Sequence, residues 1–283
     1  MGVLNDLTGR LERWEALDTL ARPLAAGVGR AVRPRPVRNL LGGSTVGHPL
    51  HPPLTDVPIG AWSMATLLDL AGGPAAEPAA DLLIATGLAA AVPTAATGLH
   101  DWSDTQGAAS RVGLVHAAAN STALGLYAAS LLARRRGHRG TGKALALAGL
   151  GARSGGGFVG GHLSFAQGVN VNRTAWRRGP AEWTDVLAEA ELGEGEPRRV
   201  PAGRVSVLLV REGARIHALD SVCSHLGGPL ERGGIAEGCV QCPWHGSVFR
   251  LADGGVVRGP ASYPQPSYEV RVQDGRIQLR ARP

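Results

Sequence analysis

Two short segments near the C-terminal end carry side chains able to bind metal: Cys223-Ser-His225 and Cys242-Pro-Trp-His245, with sixteen residues between His225 and Cys242. Each segment offers one thiolate and one imidazole. Two Cys and two His can enclose a zinc ion tetrahedrally. The same set can hold a [2Fe–2S] cluster, the thiolates on one iron and the imidazoles on the other. The chain has three cysteines, so a disulfide framework could be built only by dismantling this set. The remaining one, Cys239, makes a superficial Cys-x-x-Cys with Cys242 and reads as a small core residue.

Ligand loops need a rigid frame, and the flanking sequence supplies short alternating strands. Residues 205–210 read as a strand, 211–213 as a turn and 216–219 as the return strand. Residues 240–242 enter the second ligand loop and 248–251 leave it. A last hairpin, 268–272 with 277–279, turns at Asp274-Gly275. His217 falls in a strand outside the loops and reads as structural.

Residues 182–281 resemble the Rieske ferredoxin family. The resemblance rests on Cys223-Ser-His225-Leu-Gly-Gly-Pro-Leu230 and Cys242-Pro-Trp-His-Gly-Ser247 as cluster loops. Asp253-Gly254, Gly259-Pro260-Ala261 and Tyr263-Pro264-Gln265-Pro266 resemble the loop that covers the cluster. It implies an all-β domain with a [2Fe–2S] cluster rather than zinc. Cys223 and Cys242 would bind one iron, His225 and His245 the other, with Leu226, Trp244, Ser247 and Pro260 around them. Imidazole donates less negative charge than thiolate, which places the class at about −150 to +300 mV. Quinol-oxidising members carry an extra cysteine in each loop; Gly228 and Trp244 stand there in this chain, so that disulfide cannot form. Ser247 is expected to hydrogen-bond a cluster sulfide, and Phe249 stands where high-potential members have Tyr. These features imply a potential in the lower part of the range.

The upstream sequence has another character. From Asn39 to Ser110 there is no Lys or Arg, and Ala, Gly, Leu and Pro dominate. The net charge of +6 is almost all Arg, Lys143 being the sole lysine. The basic clusters (Arg30, Arg33, Arg35, Arg38 and Arg134, Arg135, Arg136, Arg139) flank apolar segments and lack base-stacking aromatics. They read as membrane-flanking charges, and no nucleic-acid partner is expected. Leu4, Leu7, Leu11, Trp14, Leu17 and Leu20 predict an amphipathic helix, and Met1 to Leu20, with acidic residues and no compact apolar run, does not read as a cleavable signal peptide. The Pro-rich stretch 33–58 is expected to interrupt any helix.

Four apolar segments follow, roughly 57–73, 82–99, 112–133 and 144–163, and predict four membrane spans. The expected organisation is an amphipathic helix and basic linker (1–38), an all-α four-helix transmembrane bundle (39–168), a linker (169–181) and an all-β domain (182–283). Residues 40–165 resemble an uncharacterised family of bacterial four-helix membrane domains. The resemblance rests on Gly47-His-Pro-Leu-His-Pro-Pro53, Asp56-Val-Pro-Ile-Gly-Ala-Trp62, Thr97-Gly-Leu-His-Asp-Trp102, Val115-His-Ala-Ala-Ala-Asn120 and Gly160-Gly-His-Leu163.

Four antiparallel spans would gather His48, His51, His100, His116 and His162 at one membrane face, with His138 opposite. Such histidines could bind haem or a metal, serve quinone chemistry, or hydrogen-bond backbone at helix ends. A domain folded around a cluster does not thread through the general secretion channel, and no twin-arginine signal precedes the first span. The β-domain is therefore expected in the cytoplasm of a multi-pass cell-membrane protein, although Arg134–Arg136 would then lie outside, against the positive-inside tendency. The leading expectation is an electron-transfer protein exchanging single electrons with a redox partner protein. A ferredoxin component of an oxygenase system and a redox sensor are the alternatives. A complete Rieske oxygenase is not expected, since no second iron domain is recognisable.

Overall fold

The computed structural model describes residues 3–282. Seven α-helices precede ten strands: α1 (Val3–Arg13), α2 (Asp18–Ala31), α3 (Arg35–Gly42), α4 (His51–Ala71), α5 (Glu77–Ser103), α6 (Gly107–Arg135) and α7 (Arg139–Gly161). The strands are β1 (Thr184–Ala188), β2 (Arg198–Ala202), β3 (Val205–Glu212), β4 (Arg215–Asp220), β5 (Gly234–Ala236), β6 (Cys239–Gln241), β7 (Val248–Arg250), β8 (Val256–Arg258), β9 (Tyr268–Gln273) and β10 (Arg276–Ala281). The chain divides into two compact units. One is helical, residues 3–33 with Leu50–Val169. The other is the β-domain, residues 170–282 with the upstream segment Pro34–Pro49.

The single amphipathic helix expected near the start is broken at Trp14 into α1 and α2. The Pro-rich stretch holds α3 and the start of α4, with Pro52 and Pro53 in the first turn of α4. Proline is tolerated there because its missing N–H would have no intrahelical acceptor. The stretch therefore interrupts helix between Gly42 and His51, while Pro58 is carried inside α4.

All four apolar segments form helices, of 21, 27, 29 and 23 residues for α4 to α7. Among the described residues one stretch, Pro74–Ser103, is both long and apolar enough to cross a membrane. The other three helices are diluted by polar residues such as Asp69 in α4, Arg111 and Arg134 in α6, and Lys143 and Arg153 in α7.

The α6–α7 hairpin repeats the contacts of the α4–α5 hairpin. Trp62 on α4 stacks on Tyr127 on α6, centroids 4.2 Å apart. Each ring presses on a glycine of its own hairpin. A Cβ at Gly87 would fall 2.2 Å from the Trp62 ring, and one at Gly149 would fall 3.0 Å from the Tyr127 ring. Eighteen residues after His51 and His116 stand Asp69 and Arg134, which are paired with each other. Arg134 also reaches Asp81 at 3.2 Å, and Arg139 reaches Asp81 at 2.8 Å. Equivalent positions of the two hairpins therefore carry opposite charge at this end. Arg134 and Arg139, expected as flanking charges, are the basic half of this network; a buried guanidinium needs such partners.

In the β unit, β3 is the central element. It pairs antiparallel with β2 and β4, and both of its faces are buried. Val207 and Leu209 enter a core completed by β9 and β10 (Tyr268, Ile277, Leu279). Leu208 and Val210 enter a second core with Val240, Phe249, Cys223 and Cys242. Alternation along one strand thus splits the domain into a structural core and a core beneath the ligand loops. A four-stranded sheet ordered β5-β6-β7-β8 carries the second loop, and a three-stranded sheet ordered β1-β10-β9 completes the unit. The hairpins expected at 205–219 and 268–279 are present, the latter turning through Asp274 (φ 52°) and Gly275 (φ 70°).

Candidate metal centre

The two ligand loops are copies of one hairpin. In the first, Cys223 N donates to Gly228 O at 2.9 Å and Gly227 N to Cys223 O at 2.9 Å. In the second, Cys242 N donates to Ser247 O at 2.8 Å and Gly246 N to Cys242 O at 3.1 Å. Gly227 (φ 83°) and Gly246 (φ 73°) take the left-handed conformation that this closure requires and that disfavours a side chain.

The closure turns each cysteine inward and each histidine outward. Cys223 and Cys242 are buried, while His225 and His245 are half-buried, with ring centroids 5.1 Å apart and planes at 90°. With metal–nitrogen bonds of about 2.1 Å, two imidazoles on one ion at a tetrahedral angle place their centroids about 5.2 Å apart. The observed separation fits ligation of a common iron. The two thiols hydrogen-bond each other. That contact raises the Cys223 pKa and lowers that of Cys242. Backbone N–H groups of His225 and Leu226 aim at the Cys223 sulfur, and those of Trp244 and His245 at the Cys242 sulfur. Four oriented N–H dipoles favour negative charge on the sulfurs. Among the described residues no three His, Cys, Asp or Glu side chains converge on a single ion.

The surrounding residues fix the loops. A Cβ at Gly228 would fall 2.7 Å from the Cys242 sulfur and 3.1 Å from the Trp244 ring, so position 228 admits glycine alone. Ser247 is fully buried and its Oγ accepts from Ala261 N at 3.0 Å, which leaves its O–H to donate elsewhere. Pro260 follows a cis peptide bond, Leu226 is half-buried, and Trp244 is exposed. Cys239 is half-buried in β6, and burial pushes its thiol pKa up. His217 pairs with Glu212 at 3.2 Å.

Two supports escaped the sequence reading. Gln265, buried, accepts from Ser224 N at 3.0 Å and donates to Asp220 O (2.7 Å) and Val222 O (2.6 Å), bracing the first loop. Nothing in the spacing of Tyr263-Pro-Gln265-Pro distinguishes it from a turn residue. The second is α3. Arg38, expected as a membrane-flanking charge, is buried; it donates to Gly259 O at 3.3 Å and to His245 O at 3.2 Å. Asn39 brackets Gly259 N (2.8 Å) and Val257 O (3.3 Å), and Ser44 donates to Ala261 O at 2.8 Å. A helix far upstream in sequence thereby clasps the second loop and its cover.

Of the five upstream histidines, the structure brings two together. His51 and His116 stand with ring centroids 6.3 Å apart. His48 belongs to the β unit, against Tyr263 with ring centroids 6.4 Å apart. His100 pairs with Asp101 at 3.0 Å, and His162 with Glu12 of α1 at 2.7 Å.

Residues 182–269 match the family described as Rieske [2Fe-2S] domain. The anthranilate 1,2-dioxygenase ferredoxin subunit of Burkholderia cepacia is 31% identical over 99 residues, 35% of this chain and 92% of that protein. The chain belongs to the Rieske [2Fe–2S] family. Residues 47–173 match a second family, described as Predicted membrane protein (DUF2231). Apoptosis-inducing factor 3 of Mus musculus is 34% identical over 91 residues, 32% of this chain, but the match spans only 15% of that protein. Among solved structures, the ferredoxin of carbazole 1,9a-dioxygenase from Nocardioides aromaticivorans IC177 aligns over 36% of this chain and all of its own, at 25% identity and TM-score 0.35. A Rieske domain implies a [2Fe–2S] cluster.

Proposed function

We propose that this Rieske protein is a membrane-anchored one-electron carrier. In this reading Cys223 and Cys242 hold the inner iron and His225 and His245 the outer one. The cluster supplies a single reversible electron. The observation that carries the reading is two buried thiols beside two half-buried imidazoles 5.1 Å apart, which leaves the histidine side of the site the more accessible one for an electron to leave by. Arg38, Ser247 and Gln265 hold the loops, and the N–H groups on the sulfurs favour the reduced, more negative state.

Anchoring is supported by the match to a predicted membrane protein family and by the apolar stretch Pro74–Ser103. It is also supported by the apolar side chains that the helices turn outward, among them Leu67, Leu70, Leu82, Val92, Leu132 and Leu147. Exposed apolar surface on this scale suits lipid better than water. Four spans, with the Rieske domain in the cytoplasm, are the topology proposed. A second reading, the ferredoxin component of an oxygenase system, is favoured by the similarity to dioxygenase and monooxygenase ferredoxins. Of the groups expected at the upstream histidines, quinone has no observation in its favour, and metal ligation has the His51–His116 pair.

The test is fractionation followed by electron exchange. Full-length protein that stays with alkaline-washed membranes and whose cluster is reduced and reoxidised by membrane-bound partners supports the first reading. Soluble protein that turns over only with a purified oxygenase and its reductase overturns it in favour of the second.

A further inference from the structure

His51 and His116 lie at equivalent positions of the two repeated hairpins, each eleven residues before the ring that forms the Trp62–Tyr127 stack. Their surroundings repeat as well. His51 Nδ1 lies 2.9 Å from Thr94 O on α5, and His116 Nδ1 lies 2.8 Å from Gly156 O on α7. A carbonyl only accepts, so Nδ1 carries the hydrogen in both rings and the neutral Nε2 keeps a lone pair, which on His116 has the Asn120 amide nitrogen 3.4 Å away and must be released by it for ligation. This backbone bond is what orients imidazoles that ligate metals. One helical turn beyond each carbonyl is a glycine the ring needs. A Cβ at Gly98 would fall 2.6 Å from the His51 ring, and one at Gly160 would fall 2.8 Å from the His116 ring.

The separation differs from that of the cluster histidines. Two imidazoles on opposite sides of one metal, with bonds of about 2.1 Å, place their centroids about 6.4 Å apart. The observed distance is 6.3 Å, with ring planes at 85°. Among the described residues no third metal-ligating side chain joins the pair. A metal held in trans by two imidazoles therefore takes its other donors from something other than protein side chains. A tetrapyrrole supplies four nitrogens in the plane between two axial imidazoles.

We propose that His51 and His116 are the axial ligands of one haem iron held between the α4–α5 and α6–α7 hairpins. This adds a second metal centre to the chain and does not depend on the cluster reading. Haem iron is a one-electron group, the class of partner a Rieske cluster can exchange with.

The experiment is an optical spectrum and pyridine haemochrome assay on full-length protein from haem-supplied cells, purified in detergent. The proposal expects about one haem per chain with a low-spin, bis-imidazole spectrum. His51→Gly and His116→Gly should each lose the low-spin bands, and added imidazole should restore them, which a variant that fails to fold could not show. His138→Ala should leave the spectrum unchanged. Protein with a full complement of [2Fe–2S] but no porphyrin would overturn the proposal. So would copper bound without haem, or a haem spectrum indifferent to both glycine variants.

Discussion

The β unit and the helical unit each bring a pair of histidines together, at centroid separations of 5.1 and 6.3 Å. In the β unit the pair comes from two short loops closed by identical backbone hydrogen bonds, so hairpin geometry sets how closely the rings approach. In the helical unit it comes from two long hairpins, and glycines on α5 and α7 set the approach instead. The first separation suits two ligands side by side on one metal; the second suits two ligands facing across it. The same residue type thus serves two coordination geometries according to the element that carries it.

The largest effect that could break the comparison is at the cluster. Cys223→Ser should abolish the [2Fe–2S] absorption and paramagnetic signal while leaving the helical signal in circular dichroism intact. Loss of both would mean that the two units do not fold as separate bodies. Next is the helical unit's own buried charge. Arg134→Met removes the buried partner of Asp69 and leaves it only Arg139 at 3.6 Å, so that unit should lose about 3 kcal/mol, the low end for breaking a buried pair. Detergent-phase melting should show this with the cluster spectrum unchanged.

Gln265→Leu leaves Ser224 N and the carbonyls of Asp220 and Val222 without their partner. It should cost the β unit about 2–4 kcal/mol and lower cluster occupancy, measured by denaturant titration and iron content. Arg38→Gln removes a buried positive charge hydrogen-bonded to His245 O, so the midpoint potential should fall by tens of millivolts with ligation unchanged. An unchanged potential would show that α3 only braces the loop.

The smallest effect concerns pH. Hydrogen bonds from His162 and then Gln167 hold the Glu12 carboxyl below its usual range. A depressed carboxylate stabilises the fold above its unfolded pKa near 4.5 and loses that contribution as pH falls through the folded value. The Glu12 side chain is 33% exposed, so solvent screens the pair and the contribution is about 0.5 kcal/mol or less. Melting of Glu12→Gln should lie slightly below wild type at pH 7 and converge with it below pH 4.

The cluster loops were legible because Cys-x-His and Cys-x-x-His spacing is dictated by coordination, and the β-hairpins because alternation and Asp-Gly turns are local. The four long helices were legible from composition, but three of them are too polar to identify as spans by apolarity alone. What could not be read are pairings between distant segments. Arg38 looked like a flanking charge because nothing in its neighbours says that it meets His245 O. Arg134 likewise reads as a flanking charge, and nothing in its neighbours says that it meets Asp69. Of the five histidines expected at one face, His51 and His116 stand together, while His100 meets Asp101 through Nδ1, His162 meets Glu12, and His48 belongs to the β unit.

The absence of cysteines able to bridge the two loops, with Phe249 under them, keeps the expected potential in the lower part of about −150 to +300 mV. The central claim is the cluster and its mixed ligands. The most direct test is low-temperature electron paramagnetic resonance of dithionite-reduced full-length protein, with iron, sulfide and zinc assayed on the same sample. The account predicts two irons and two acid-labile sulfides per chain and a reduced-state signal showing coupling to two histidine nitrogens. One zinc per chain with no paramagnetic signal would contradict it.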